Sequence, residues 1–201
     1  MPRALSSEDV EDFRRRLCAA AEGLFAERGI EAVTMRELAQ ALGVSAMTPY
    51  RYFKDKDAIL AAVRAAAFNR FAGALEAAGA GSGDAVAHSR AAGEAYVAFA
   101  LAEPQAYRLM FDLSQPTESD YPELQTALTR ARRTMTAHVE ALIEAGLLTG
   151  DADLIGHMFW ASLHGVLMLR LSDKLAPEID PAKLLALLIG ALTRGLVAGA
   201  S

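Results

Sequence analysis

The chain has 201 residues, 53% of them hydrophobic, with a net charge of −5 and a pI near 5.4. That apolar content excludes a disordered chain, and the acidic balance excludes a protein that coats nucleic acid by bulk charge. The single cysteine, Cys18, excludes an internal disulfide and suits a reducing, cytoplasmic setting.

Alanine and leucine dominate, and β-branched residues are few, so helices are favoured over strands. The first helix is predicted over residues 8–27. Ser6 caps it with Asp9 three positions on, and Phe13, Leu17, Ala20, Ala21, Leu24 and Phe25 form one apolar stripe. Gly29 ends it. A second helix starts at Thr34, which stands three positions before Glu37 in the spacing of a capping box. Leu38, Ala39 and Leu42 face inward. Gly43 supplies the left-handed turn, Val44 plugs the core, and Ser45 opens a short third helix ending near Tyr52. Pro49 lacks an N–H. Either Ser45 caps and Pro49 removes the first helical bond, or Thr48 caps and Pro49 is the first helical residue; in both cases the helix begins late or loose.

A long helix follows over 55–78, then a glycine-rich break over 79–83. Further helices are expected over 84–102, from Pro104 to before Pro116, over 122–145, over 152–171 and over 180–198. A polar loop covers 114–122. Pro122 and Pro181 stand at first helical positions, and Asp180 caps the last helix. The apolar stretches 158–169 and 184–192 fall short of the roughly 18–20 residues a membrane helix needs. They read as buried helices.

Two short helices around a glycine turn have the layout of a helix-turn-helix, although spacing alone also fits an ordinary helical hairpin. The third helix, with Ala46, Met47, Thr48, Pro49, Tyr50 and Arg51, carries little apolar surface of its own, as a groove reader would. Residues 1–60 hold nine basic and ten acidic side chains, so DNA binding rests on where charge is placed rather than on its total. Arg14, Arg15 and Arg16 point in different directions and read as solvated; Arg3 in the tail is a candidate for the minor groove.

The order Gly43, Val44, Ser45, Tyr50, Tyr52, Phe53, Lys54 and Lys56 resembles the DNA-binding head of the TetR family, over about residues 18–63. The resemblance implies an all-α fold of about nine helices. It comprises a three-helix helix-turn-helix head over residues 1–54 and a helical ligand-binding and dimerisation domain over 55–201. It implies base or groove contacts from Ser45, Met47, Thr48 and Pro49 and phosphate contacts from Tyr50, Tyr52, Lys54 and Lys56. Thr34 and Arg36 would meet the backbone at the start of the second helix. Phe53 and Val44 belong to the core.

The helices over 152–171 and 180–198 are apolar on nearly every face, more than one chain of this size can cover. A four-helix interface between two copies, as in the TetR family, resolves this through Met158, Leu163, Val166, Leu167, Leu185, Leu188 and Leu192. Gly156, Ala161 and Gly165 would let helices approach. The run Trp160 to Gly165 resembles the Trp…His-Gly signature of one class of the family's C-terminal domains. Candidate effector contacts are Phe99, Tyr107, Met110, Phe111, Met135, His138, Trp160 and His164, with Arg108 a further polar group. They suit a small hydrophobic or amphipathic molecule.

No catalytic signature appears: there is no His-Glu-x-x-His, no phosphate-cradling glycine loop and no Gly-x-Ser-x-Gly. His157 and His164 share a helix face seven residues apart, without carboxylate or thiol partners nearby. The expectation is a ligand-released dimeric repressor of a palindromic operator, without cofactor, metal or membrane. The alternative is a helical small-molecule-binding protein without specific DNA binding.

Overall fold

The computed structural model describes residues 6–81, 83–112 and 118–197. Arg3, Ser82, residues 113–117 at the start of the predicted polar loop and the end of the last predicted helix lie outside them. The regular elements are α1 (Ser7–Arg28), α2 (Met35–Ala41), a 3-10 turn (Pro49–Arg51), α3 (Lys56–Ala80), α4 (Ala85–Ala102) and α5 (Pro104–Met110). A second 3-10 turn (Glu118–Asp120), α6 (Pro122–Glu144), α7 (Ala152–Leu171) and α8 (Pro181–Leu196) follow. Among the described residues eight α-helices stand where about nine were expected, because the third predicted helix is only a 3-10 turn.

The helix starts follow from short-range chemistry. Ser6 and Asp9 form a reciprocal capping box at α1, and Thr34 and Glu37 form another at α2. Such a cap contributes about 1 kcal/mol. Asp84, Asp151 and Asp180 cap α4, α7 and α8. The glycine break is shorter than expected, since α3 continues through Gly79 to Ala80.

The described residues form two compact units. The first holds the chain up to Phe68 together with Gln105–Leu128; the second holds Asn69–Pro104 and the chain from Thr129. In the first, Leu17, Ala21 and Phe25 bring one stripe of α1 onto Leu38 of α2 and Phe53. Ile59, Leu60 and Val63 of α3 and Leu109 of α5 complete that core. Each such side chain contributes about 1.5–3 kcal/mol on burial. This is why the unit extends beyond residue 54: without α3 the head has no floor.

In the second unit Val139, Leu142, Leu148, Ile155 and Phe159 are packed with Ile189, Leu192 and Leu196 of α8. Gly156 is buried against α6: a Cβ there would lie 3.0 Å from the carbonyl oxygen of Met135. It permits α7 to approach the chain's own α6, rather than a second copy. Gly156→Ala gains helix propensity but forces a backbone to give way. We expect a net loss of about 1–2 kcal/mol, read from urea unfolding.

α3 and α7 each contain an 18-residue window apolar enough to cross a membrane by composition. The α3 window is 61% buried in the fold, as a core helix is, whereas the α7 window is only 28% buried. The exposed part of α7 is a stripe: Leu154, Met158, Ala161, Gly165 and Leu169 recur at helical spacing, with Leu154 and Leu169 prominently exposed. In α8, Ile189, Leu192 and Leu196 turn inward, and Leu184, Leu187 and Ala191 lie on the opposite side, Leu187 being 61% exposed.

Candidate nucleic-acid interface

The head's reading element is built around one glycine and one proline. Gly43 adopts φ +67°, where a side chain would be strained, and closes α2. The Val44 N–H returns to the Ala39 carbonyl at 3.0 Å, which reverses the chain. The Thr48 N–H then donates to the Ser45 carbonyl at 2.9 Å, and the two hydroxyls lie 2.9 Å apart. An α-helical bond to Ser45 would need an N–H at Pro49, which has none. The segment therefore tightens into the 3-10 turn, with Tyr52 N–H and Phe53 N–H both donating to the Pro49 carbonyl at 3.0 Å. Thr48 precedes the turn without a side-chain cap.

The side chains around this turn divide by exposure. Arg36, Ser45, Met47 (70% exposed), Tyr50 and Arg51 are exposed, and Thr48 is half-buried. Pro49 is buried, which corrects its expected place against a base: its ring faces the head's interior. Phe53 is buried and Val44 half-buried. Tyr52 stacks on Phe13 with ring centroids 4.2 Å apart, so its ring serves packing. Lys54 is exposed, 3.9 Å from Asp55 and 5.1 Å from the Tyr121 ring. Lys56 donates to the Ile30 carbonyl at 2.8 Å and ties the start of α3 to the segment between α1 and α2.

Thr34 is committed to its cap. Its backbone N–H and its hydroxyl both donate to Glu37 Oε2 at 2.8 Å, and the hydroxyl accepts from the Glu37 N–H at 3.3 Å. Arg28 and this cap hold the Glu37 carboxyl down to about 2. The negative end of that group is thus turned onto Arg28, 2.7 Å away.

Arg14 is the residue that sequence reasoning misjudged. It donates to the Tyr52 carbonyl at 3.0 Å, reaches Glu123 at 3.4 Å, and lies 4.3 Å over the Phe53 ring. It holds the exit of the reading turn instead of being solvated. Its signal was present: Arg14 stands beside Phe13 and one turn before Leu17 and Cys18 on the stripe that folds inward. A cleft of about 340 Å³ opens here, lined by Arg14, Tyr52, Phe53, Lys54 and Tyr121 among others. None of the expected effector contacts borders it.

Those contacts fall into both units. Tyr107 and Met110, both buried, and Phe111 belong to the first unit. Phe99, Met135, His138, Trp160 and His164 belong to the second. There, Trp160 Nε1 donates to the Tyr96 hydroxyl at 3.0 Å, and Phe71 packs edge-on against Tyr96 and Phe99. Burial, with a smaller push from His88, holds His138 down to about 4, and Ser89 Oγ lies 3.1 Å from its Nδ1. His164 is also lowered by burial. His157 Nδ1 is 2.7 Å from the Asp153 carbonyl.

Of the expected dimer contacts, Val166 and Leu167 are 4% and 1% exposed within one chain. They fill its own core and have nothing left to offer a second copy. Leu192 also packs on the internal cluster, and Leu185 shares its stripe. Met158, Leu163 and Leu188 remain partly exposed. Leu154, Leu169 and Leu187 are exposed and Leu184 is partly so; none was among the expected contacts, because both helices are apolar all round and periodicity cannot then choose a face.

Residues 17–63 match the family described as bacterial regulatory proteins, tetR family, and residues 89–192 match the tetracyclin repressor-like C-terminal domain. An HTH-type transcriptional regulator of Staphylococcus aureus (strain USA300) is 41% identical over 49 residues, 24% of this chain and 26% of that protein. The chain thus matches about a quarter of the length of that curated relative. A protein with unknown function from Rhodococcus sp. RHA1 superposes with a TM-score of 0.79 at 28% identity, over 98% of this chain and 99% of that one. A TetR-family transcriptional regulator from Pectobacterium atrosepticum shares the fold, with a TM-score of 0.68 at 24% identity over 96% and 98% of the two chains. With one family domain on the reading turn and the other spanning most of the rest, the chain belongs to the TetR family of bacterial transcriptional regulators.

Proposed function

We propose that this chain is a dimeric, cytoplasmic repressor that binds a palindromic operator and is released by a small amphipathic effector. The observation that carries the DNA-binding part is the exposed set Arg36, Ser45, Met47, Tyr50 and Arg51 around a turn anchored by buried Pro49 and Phe53. Ser45, Met47 and Thr48 contact base edges, and Tyr50, Arg36 and Arg51 contact phosphates. Lys54 joins them when it leaves Tyr121, and Lys56 adds its remaining donors near the α3 start. Thr34 and Tyr52 act by holding the turn. The exposed stripes of α7 and α8 form the two-fold interface. Residues 1–54 form the DNA-reading part and residues 55–201 the effector and dimer part. Effector binding shifts the population of dimers toward a different spacing of the two reading turns, through α3, which contributes residues to both units.

The test is anisotropy binding to DNA flanking the protein's own gene, across a salt series, for wild type and for Tyr50→Ala with Arg36→Ala. Wild type is expected to bind one palindromic site with an affinity that falls steeply with salt. The double variant is expected to bind at least about tenfold more weakly, with the salt slope reduced by about 1 for the lost Arg36 contact. Weak binding, equal for all fragments and for both proteins, would overturn the reading and favour a small-molecule-binding protein without specific DNA binding.

A further inference from the structure

Base pairs offer a reader in the major groove hydrogen-bond donors, hydrogen-bond acceptors and one apolar feature, the C5 methyl of thymine. The turn after Gly43 is thinly equipped for the first two. Ser45 and Thr48 carry hydroxyls, but these lie 2.9 Å apart, so one of their two protons is spent inside the pair. Pro49 and Phe53 are buried, and the Tyr52 ring is stacked on Phe13. Arg36, Tyr50 and Arg51 are the groups that suit phosphates.

Met47 is the opposite case. At 70% it is the most exposed large hydrophobic side chain among the described residues, ahead of Leu154 and Leu187 at 63% and 61%. Met35 and Met110, by contrast, are packed away at 8% and 1%. A single exposed apolar side chain is ordinary on a plain surface. This one stands between Ser45 and Thr48, at the start of the reading element, where helix-turn-helix proteins bring side chains to base edges. A methionine has no N–H or O–H to donate, and its sulfur is a weak acceptor. Laid on the polar edge of adenine, guanine or cytosine, it would take water from groups whose hydrogen bonds it cannot replace. Laid on thymine, it removes two apolar surfaces from water at once. Its unbranched, polarisable chain adapts to such a shallow target. We propose that Met47 is a specificity-determining residue of the reading turn and recognises the C5 methyl of one thymine in each operator half-site. This rests on the reading of the turn as a major-groove element.

The wild type is offered duplexes with a randomised central stretch, and the site it selects is resynthesised with uracil in place of each thymine in turn. Uracil keeps thymine's pairing and its O4 acceptor and lacks only the methyl. Anisotropy then compares wild type, Met47→Leu and Met47→Gln on the two kinds of site. At one thymine per half-site, uracil is expected to weaken wild type about fourfold, and about fifteenfold when both half-sites carry it, as one buried methyl in each requires. Met47→Leu stays apolar and is expected to keep most of this penalty. Met47→Gln keeps the length, folds as wild type because the position is exposed, and is expected to bind the thymine and uracil sites within about twofold of each other. Met47→Ala carries the same comparison if the glutamine variant binds too weakly to measure. Loss of a methyl also alters the stiffness of the DNA itself, an effect common to all the proteins that cancels between them. A wild type indifferent to uracil at every thymine, or a selected half-site without thymine, overturns the proposal and leaves the DNA-reading turn standing. So does a uracil penalty undiminished in Met47→Gln, which would give the methyl to a neighbour such as exposed Ala46. A wild type that selects no site overturns the reading of the turn itself, and this proposal with it.

Discussion

Phe53→Ala is expected to unfold the DNA-reading head in mild urea and to abolish operator binding with it. Phe53 is 4% exposed and packs in the core with Leu17, Leu38 and Ile59. Removing a buried phenylalanine ring costs about 3–5 kcal/mol, from lost transfer energy and from the cavity left behind. The same ring supports the Arg14 guanidinium 4.3 Å above it, a contact of about 0.5–1 kcal/mol at a partly exposed site. A domain of this kind has about 5–15 kcal/mol in total, so a large share is lost through one side chain. Far-UV circular dichroism against urea measures it. A cycle with Arg14→Ala is expected to show coupling of about 0.5–1 kcal/mol between the two positions. A loss below about 1 kcal/mol would show that the head's core closes without the ring.

Leu187→Glu is expected to convert the protein into a folded monomer. Leu187 is 61% exposed in the single chain and lies on the side of α8 opposite Ile189, Leu192 and Leu196. The substitution therefore leaves the internal packing alone, and thermal unfolding of the monomer is expected to change little. In a two-fold interface the carboxylate enters twice. Burying each without a partner costs about 2–3 kcal/mol, which weakens association by about 10³–10⁴-fold. Sedimentation velocity over a concentration series reads this directly. Operator affinity is expected to fall with it, because two half-sites are no longer held by one particle. By contrast, Val166→Glu is expected to fail as folded protein, since Val166 is buried within one chain. Dimeric Leu187→Glu with wild-type operator binding would move the interface elsewhere.

Local chemistry was legible in the sequence. Ser6 with Asp9, Thr34 with Glu37, and Asp180 before Pro181 each place a helix start within a residue of where it stands. Gly43 marked the turn because only its neighbours in sequence matter there. Pro49 announced a loose third helix, but its burial depends on packing around it and could not be read. The same limit explains Val166 and Leu167: in a helix apolar all round, the inward side is set by which partners arrive. The expected effector contacts divide between two units because a list of aromatic residues contains no distances. Arg64 is one charge in an apolar run, and its bonds to Met110 and Glu118, 46 and 54 residues away, are contacts that spacing cannot show.

The single turn at Pro49–Arg51 sets a limit on how much text the protein can read. A recognition helix of several turns offers many side chains to a groove; this element offers Ser45, Met47 and Thr48 before the chain turns inward at buried Pro49. In the proposed dimer on a palindromic operator, few base pairs per half-site are then specified directly, and a genome presents about 10⁶–10⁹ competing positions. Discrimination must come from pairing two weak words at a fixed interval and from the stiffness of the DNA between them. An effector of the kind proposed would then act on grammar more than on vocabulary: altering the interval by a fraction of a helical turn erases the message while every letter contact remains available.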